Sequence, residues 1–282
     1  MPETSYLLGT HTEELERLRF QHKLWRPIAQ TAWQRAGLQS GQSVLDLGAG
    51  PGFAAADLAN IVGAQGRVLG LERSEAYVAS GRRMAAQAGL HQLELRQQDL
   101  LNDPWPAESF DLVWCRWVAM FLPHLEPLLT GVDQCISPGG RWLLHEYVHW
   151  DTFGLYPHGQ AIQRFGRACQ ASFRDDGGDP DVNRKLPGLL HQRGWQIEHL
   201  KPIPVLGDAA SMAGQWMERF VLVFGQQLQQ LGYWNADDTL EAQDEIARAH
   251  ADPGSYWMGP TVLEVLARRP CKQTRHNAPI RP

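Results

Sequence analysis

Cysteine is scarce and scattered. Cys115, Cys135, Cys169 and Cys271 are the only four in 282 residues, and no two stand at C-x-x-C spacing. That argues against a disulfide framework or a zinc ribbon and reads as reduced thiols in a cytoplasmic protein. Long apolar runs are lacking too. None approaches the roughly 20 residues of a membrane-spanning helix, and Met1-Pro2-Glu3 does not open a signal peptide. Positive charge is not in excess: 26 Lys and Arg stand against 31 Asp and Glu, a net charge of −5. A nucleic-acid partner gripped by a broad basic surface is therefore not expected. The expected partner is a small molecule, without nucleic acid or membrane, in a chain compatible with a homodimer. No internal repeat or low-complexity tract is present.

What the chain does have is glycine concentrated in one place and tryptophan in another. In Val44-Leu45-Asp46-Leu47-Gly48-Ala49-Gly50-Pro51-Gly52-Phe53, an apolar run with one acid leads into three alternating glycines. A helix-forming run, Phe53–Val62, follows at once. This reads as a strand, a tight turn and a helix N-terminus, where glycine lets the backbone turn and a ligand approach it closely. The dinucleotide fingerprint G-x-G-x-x-G needs a third glycine where Phe53 stands. The spacing present is instead Asp46-x-Gly48-x-Gly50-x-Gly52.

Strands and helices alternate from residue 43 onward. Strands are expected at Ser43–Leu47, Arg67–Leu71, Leu93–Gln97, Phe110–Cys115 and Arg141–Val148, and helices at Phe53–Val62, Ser74–Ala88 and His124–Cys135. Ser137-Pro138-Gly139-Gly140 reads as a sharp turn into the fifth strand. This rhythm predicts a doubly wound, mainly parallel sheet. Before it, Thr10-His11-Thr12-Glu13 fits a capping box, and Leu15, Leu18, Trp25, Ile28, Ala29 and Ala32 recur at helical spacing, with Pro27 expected to kink or split the helix. After Trp150 the rhythm breaks. A helix over Gly159–Phe173, another near Val182–Arg193, a strand at Trp195–Pro202, helices at about Ala209–Leu231 and Asp237–His250, and a strand at Thr261–Arg268 are expected. The divisions are a helical lid (1–42), a core (43–150), an insertion or cap (151–181), the rest of the core (182–270) with a helical cap at about 209–250, and a tail (271–282).

The Asp46–Gly52 pattern resembles motif I of the class I S-adenosylmethionine-dependent methyltransferases, of the Rossmann-like, small-molecule type. Glu72 ends the second strand, Asp99 follows the third, and Phe110-Asp111-Leu112-Val113 and Ser137–Gly140 complete five landmarks in order. The resemblance covers roughly residues 12–150. It implies a seven-stranded sheet whose last strand is antiparallel, an N-terminal helical lid and a helical cap after strand 5. It also implies S-adenosylmethionine as cofactor and S-adenosylhomocysteine as product.

By that resemblance Gly48, Ala49, Gly50, Gly52 and Phe53 pass under the methionine part of the cofactor, and Asp46 meets its amino end. Glu72, with Arg73 beside it, holds the ribose, and Asp99 and Leu100 meet the adenine. Arg116 and Trp117 wall the cofactor, with Arg116 directed at its carboxylate or at a core acid. Tyr6 and Gln21 of the lid, with Arg17, are placed as further contacts, against the alternative of a solvated helix face. An in-line methyl transfer needs alignment above all, and a base only where the acceptor must lose a proton. Candidate bases are Glu146 at the end of strand 5, then His145 and His149. No metal is expected at His145, His149 and His158, because no acid or cysteine stands at matching spacing. Trp150, Tyr156, His158, Trp216 and Trp257 are the expected substrate wall, against the alternative that these aromatics only pack a cap. The function expected is methyl transfer to a small aromatic or apolar acceptor. A non-catalytic S-adenosylmethionine-binding partner and an NAD-dependent oxidoreductase are the alternatives.

Overall fold

The computed structural model describes residues 12–271. The capping box at Thr10 and the contact at Tyr6 lie outside them. A long helix, α1 (Thr12–Arg35), comes first. Pro27 neither ends nor divides it, and Thr31 Oγ1 donates back to the Pro27 carbonyl at 3.0 Å. Then follow β1 (Ser43–Leu47), α2 (Phe53–Val62), β2 (Arg67–Glu72), α3 (Glu75–Gln87), β3 (Leu93–Gln97), β4 (Phe110–Arg116), α4 (Glu126–Cys135) and β5 (Ile136–His149). Ser74 caps α3, its hydroxyl accepting from Tyr77 N–H. β5 begins five residues before the expected position. Ser137–Gly140 already runs along the sheet, with Gly139 at φ 81° and its N–H donating to the Arg269 carbonyl.

The remaining elements are β6 (Gly154–Tyr156), α5 (Gln160–Asp175), α6 (Leu186–Gln192), β7 (Gln196–Ile203), β8 (Leu206–Gly207), α7 (Met212–Gln230), α8 (Ala236–Ala251), β9 (Tyr256–Met258) and β10 (Thr261–Arg268). The helix expected over Val182–Arg193 is a single turn at Val182–Arg184 followed by α6, which carries a proline in its first turn.

Seven strands form one sheet in the order β3-β2-β1-β4-β5-β10-β7. The pairs from β3 to β5 are parallel, and β10 is antiparallel to both β5 and β7. Strand residues alternate between two faces. Val44, Val68, Leu112 and Leu143 pack with α2 and with Ala29, Ala32 and Trp33 of α1. Leu45, Leu69, Val113 and Leu144 face the other way, into the cluster that continues through α4, α5 and α7. β7 and β10 are not joined by a tight turn. Residues 204–260 stand between them and supply α7, α8 and two strands of a second sheet, order β6-β9-β8, which the sequence reading did not anticipate. Helix α1 packs on α7, so the N-terminal helix and this late insertion together cover the strand ends.

Candidate functional site

The carboxyl ends of β1 to β5 open into a cavity of about 530 Å³, as parallel-sheet geometry predicts. Its floor is the glycine turn. Gly48, Gly50 and Gly52 have φ of 63°, 54° and 83°, a region that side chains with a Cβ rarely enter. Two of them have different reasons to be glycine. A Cβ on Gly48 would sit 2.3 Å from Val118 Cγ2, whereas one on Gly50 would meet nothing within 4 Å and would project into open space. Gly50 is therefore not required by protein packing, and its open surface suits close approach by a ligand. Gly52 caps α2 with no side-chain hydrogen bond.

Around the floor stand buried polar groups that the fold leaves incompletely paired. Asp46, 2% exposed, has Oδ2 buried without a partner. Burial pushes its pKa up to about 7, with Arg116 acting to lower it and Glu72 to raise it. Arg116 Nη1 is likewise buried and unpartnered, its guanidinium lying over the rings of Trp114 and Trp117. Burial lowers the Arg116 pKa to about 10, against the opposing charge of Asp46. Gln98 Nε2 is a third such atom. Glu72 accepts Gly50 N–H on Oε2 (2.9 Å) and Ser74 N–H on Oε1 (2.8 Å). Burial raises its pKa, with these backbone donors opposing. Each of its oxygens keeps a further lone pair, and the residue lines the cavity. Asp99 caps its own loop, accepting from Leu101 N–H and Asn102 Nδ2, and it still lines the cavity with Leu100 and Arg73.

The opposite wall is aromatic. Trp117 has φ 54°, the one non-glycine residue in the left-handed region among those described. Its ring stacks on Tyr147 (5.5 Å) and on Trp216 (6.1 Å) and meets Trp25 edge-on (4.9 Å). Trp150, Phe153, Phe173 and Phe220 extend this wall. In the roof, Gln21 Oε1 accepts from Arg17 Nη1 and Trp216 Nε1, both at 3.0 Å. Arg17 also makes a two-pronged ion pair with Glu14, both contacts 2.7 Å.

The structure thus gathers Asp46, Gly48, Ala49, Gly50, Phe53, Glu72, Arg73, Asp99, Leu100, Arg116, Trp117 and Gln21 into one cavity wall, together with Trp150 and Trp216. Gly52 supports the floor from beneath, its Cβ position 3.0 Å from Leu95 Cδ1.

Other expected residues lie elsewhere. Glu146 is fully buried and outside the cavity. Its Oε1 accepts the N–H groups of Val118 (2.7 Å) and Ala119 (2.9 Å), so it holds the turn after β4 in place. Burial raises its pKa to about 7, with those two amides opposing. His145 is buried against Trp114 and bonded to Glu264 (3.0 Å), and burial lowers its pKa. His149 and His158 are exposed. Tyr156 stacks on Tyr256 in the small sheet, and Trp257 is buried behind it. Residues missed from sequence include Tyr147, which shares the cavity face of β5 that Glu146 avoids, and His22, Phe173 and Phe220. Helical spacing from Gln21 offered no means to single out His22. Helices were expected near α5 and α7, without the side that each turns to the cavity.

Comparison with known proteins agrees with this arrangement. Residues 38–174 match a family described as "Methyltransferase domain". The chain is 31% identical over 121 residues to a 2-phytyl-1,4-naphtoquinone methyltransferase of Synechococcus elongatus, covering 43% of this chain and 51% of that protein. It is 27% identical over 205 residues to a demethylmenaquinone methyltransferase of Geobacillus stearothermophilus, covering 69% and 86%. The first of these alignments thus spans about half of the relative's length. Among solved structures, a coclaurine N-methyltransferase bound to N-methylheliamine and S-adenosylhomocysteine superposes with a TM-score of 0.56 at 18% identity, over 86% of this chain and 72% of that one, a likeness of fold. The glycine turn, the strand order and the match of residues 38–174 to a methyltransferase domain together make the chain similar to the class I S-adenosylmethionine-dependent methyltransferases.

Proposed function

We propose that this chain transfers a methyl group from S-adenosylmethionine to a small, largely apolar acceptor with an aromatic or otherwise planar body. The observation that carries the reading is the continuity of the cavity. A polar end with orphaned donors and acceptors runs directly into an aromatic end, so a charged cofactor and an apolar partner can meet in one space. S-Adenosylmethionine, when bound, supplies a methyl group on a sulfonium cation whose charge is neutralised as the acceptor displaces it.

The residues present fit that cofactor. Asp46 Oδ2 suits its ammonium, Arg116 Nη1 its carboxylate, Glu72 the ribose hydroxyls, and Asp99 with Gln98 the adenine edge. The open face at Gly50 lets the backbone come close. Trp117, Tyr147 and Trp216 form a stacked wall that can orient an acceptor, and α1 packs on α7 above it. Tyr147 stays a neutral phenol, because burial pushes its pKa up. Asp176, the lining carboxylate that follows α5, is exposed. The wall therefore suits an acceptor that arrives with its own reactive electron pair, such as an amine, an acidic phenol or an enolate. The methyltransferase activity of the quinone relatives supports this reading by likeness. The unpaired cysteines support a cytoplasmic setting.

Calorimetric titration with S-adenosylmethionine, S-adenosylhomocysteine and NAD, followed by single-turnover assays over phenolic, enolic and amine acceptors, tests the proposal. Adenosyl-ligand binding with methylated product supports it. Binding without turnover on any acceptor would favour a non-catalytic partner protein, and tight NAD binding alone would overturn the cofactor assignment.

A further inference from the structure

One histidine of the cavity wall is held at one nitrogen and bare at the other. His22, on α1, places Nε2 3.1 Å from Asp57 Oδ2, and the same oxygen accepts from Arg26 Nε at 2.8 Å. Asp57 stands on α2, the helix that leaves the glycine turn. The His22 ring leans on Phe53, the first residue of that helix, with centroids 5.8 Å apart. Its Nδ1 is buried with no hydrogen-bond partner. The methyl-transfer reading above does not use this atom.

The state of Asp57 decides what Nδ1 can do. Burial raises the Asp57 pKa, but hydrogen bonds from His22 and Arg26 and their charges outweigh it and leave the carboxyl below its ordinary value. An ionised Asp57 only accepts, so Nε2 carries a hydrogen toward it. Nδ1 then accepts in the singly protonated ring and donates only where it carries a hydrogen as well. The charged groups around the ring are Asp57 and Arg26, which share its Nε2 side, Arg19 over the Phe53 ring (5.6 Å), and Arg116 on β4. Arg116 is close enough to feel both Asp46 and Asp57. The cavity wall thus holds a bare acceptor, Asp46 Oδ2, bare donors that include Arg116 Nη1 and Gln98 Nε2, and the bare ring nitrogen His22 Nδ1, which donates where it carries a hydrogen. That set complements an α-amino-acid zwitterion, with the ammonium on the acceptor and the carboxylate oxygens on the donors.

We infer that His22, oriented by Asp57, is a positioning residue that donates from Nδ1 to the carboxylate of the cofactor's amino-acid end, beside Arg116. The inference rests on the S-adenosylmethionine reading. It makes the cofactor carboxylate a tie between α1 and the turn beneath it.

The test compares three ligands on the full chain and on His22→Ala and His22→Gln. S-Adenosylhomocysteine carries both ammonium and carboxylate, its decarboxylated amine analogue carries only the ammonium, and 5′-methylthioadenosine carries neither. His22→Ala is expected to weaken S-adenosylhomocysteine roughly tenfold or more, the scale of a hydrogen bond to a charged group, and the other two ligands less than about twofold. His22→Gln, which keeps a neutral donor, recovers part of the loss. Retained 5′-methylthioadenosine binding shows that each variant is folded. An equal loss across all three ligands would make His22 a mere fastener of α1 and overturn the inference, as would no loss at all. A wild-type chain that binds none of the three would instead sink the cofactor reading beneath it.

Discussion

The two ends of the cavity are built by different means. The polar end comes from consecutive strand ends, with Asp46, Glu72, Asp99 and Arg116 each in or just after the last residues of a strand around the glycine turn. The aromatic end comes from α1, the turn after β4, α5 and α7, segments far apart in the sequence and brought together by packing. The first is a local solution that tolerates little change, since each position has one backbone task. The second is a collective surface in which side chains can be exchanged for others of similar volume. A cofactor shared by a family belongs in the first kind of site, and an acceptor that differs between members belongs in the second.

The comparison breaks most decisively at Gly50. Gly50→Arg would place a side chain in the open space above the turn at a φ of 54°. Binding of S-adenosylhomocysteine should fall by more than about 100-fold, a loss above about 2.7 kcal/mol, while the folded spectrum persists. Unchanged affinity would mean that the cofactor does not cross this turn.

Glu146 tests the division from outside the cavity. In Glu146→Ala the amides of Val118 and Ala119 lose their buried acceptor, and denaturant unfolding should show a loss of about 2–4 kcal/mol. A general base would behave differently, with methyl transfer abolished and stability intact. That pattern would return Glu146 to the chemistry.

Phe220→Ala sharpens the contrast at the aromatic end. It removes a half-buried ring beside Trp150 and Phe153, and the KM for an apolar acceptor should rise roughly tenfold. S-Adenosylhomocysteine affinity should move less than about twofold. Parallel losses in both would show that the two ends are not separable.

The smallest effect is protonic. Asp46 has its folded pKa raised from 3.8 to about 7. Between those values the unfolded chain is ionised and the folded chain holds the proton, so this contribution to stability is present at low pH and fades as pH rises toward 7. Pairing with a ligand ammonium should expel that proton. Binding enthalpies near pH 6.5 should then differ between buffers of high and low ionisation enthalpy, and Asp46→Asn should erase the difference. Equal enthalpies for the wild type would place the ammonium elsewhere.

The same division explains what could be read before the fold was known. Strand ends follow one another at predictable intervals, and a glycine turn announces itself, so Asp46, Glu72, Asp99 and Arg116 were legible as one wall. Choosing between Glu146 and Tyr147 was not, because neighbouring residues on a strand point to opposite faces and the side open to the cavity depends on what covers it. Tyr156 and Trp257 looked like substrate aromatics until β6, β9 and β8 joined into a sheet of their own, formed from segments a hundred residues apart. His22 was silent for a third reason: its meaning comes from Asp57 on a neighbouring helix.

The position of β10 has a consequence for how the molecule is made. It is the last strand in the described chain, yet it lies inside the sheet, between β5 and β7. On a ribosome, β5 emerges more than a hundred residues before this partner, and β7 has no place to pair until it arrives. The aromatic face of α7 is synthesised in that interval. Assembly therefore waits on a late strand inserting between two earlier ones, a high-contact-order event that leaves open strand edges and bare rings in the nascent chain. Shielding during synthesis, by a chaperone or by rapid completion of the chain, becomes part of what this architecture requires.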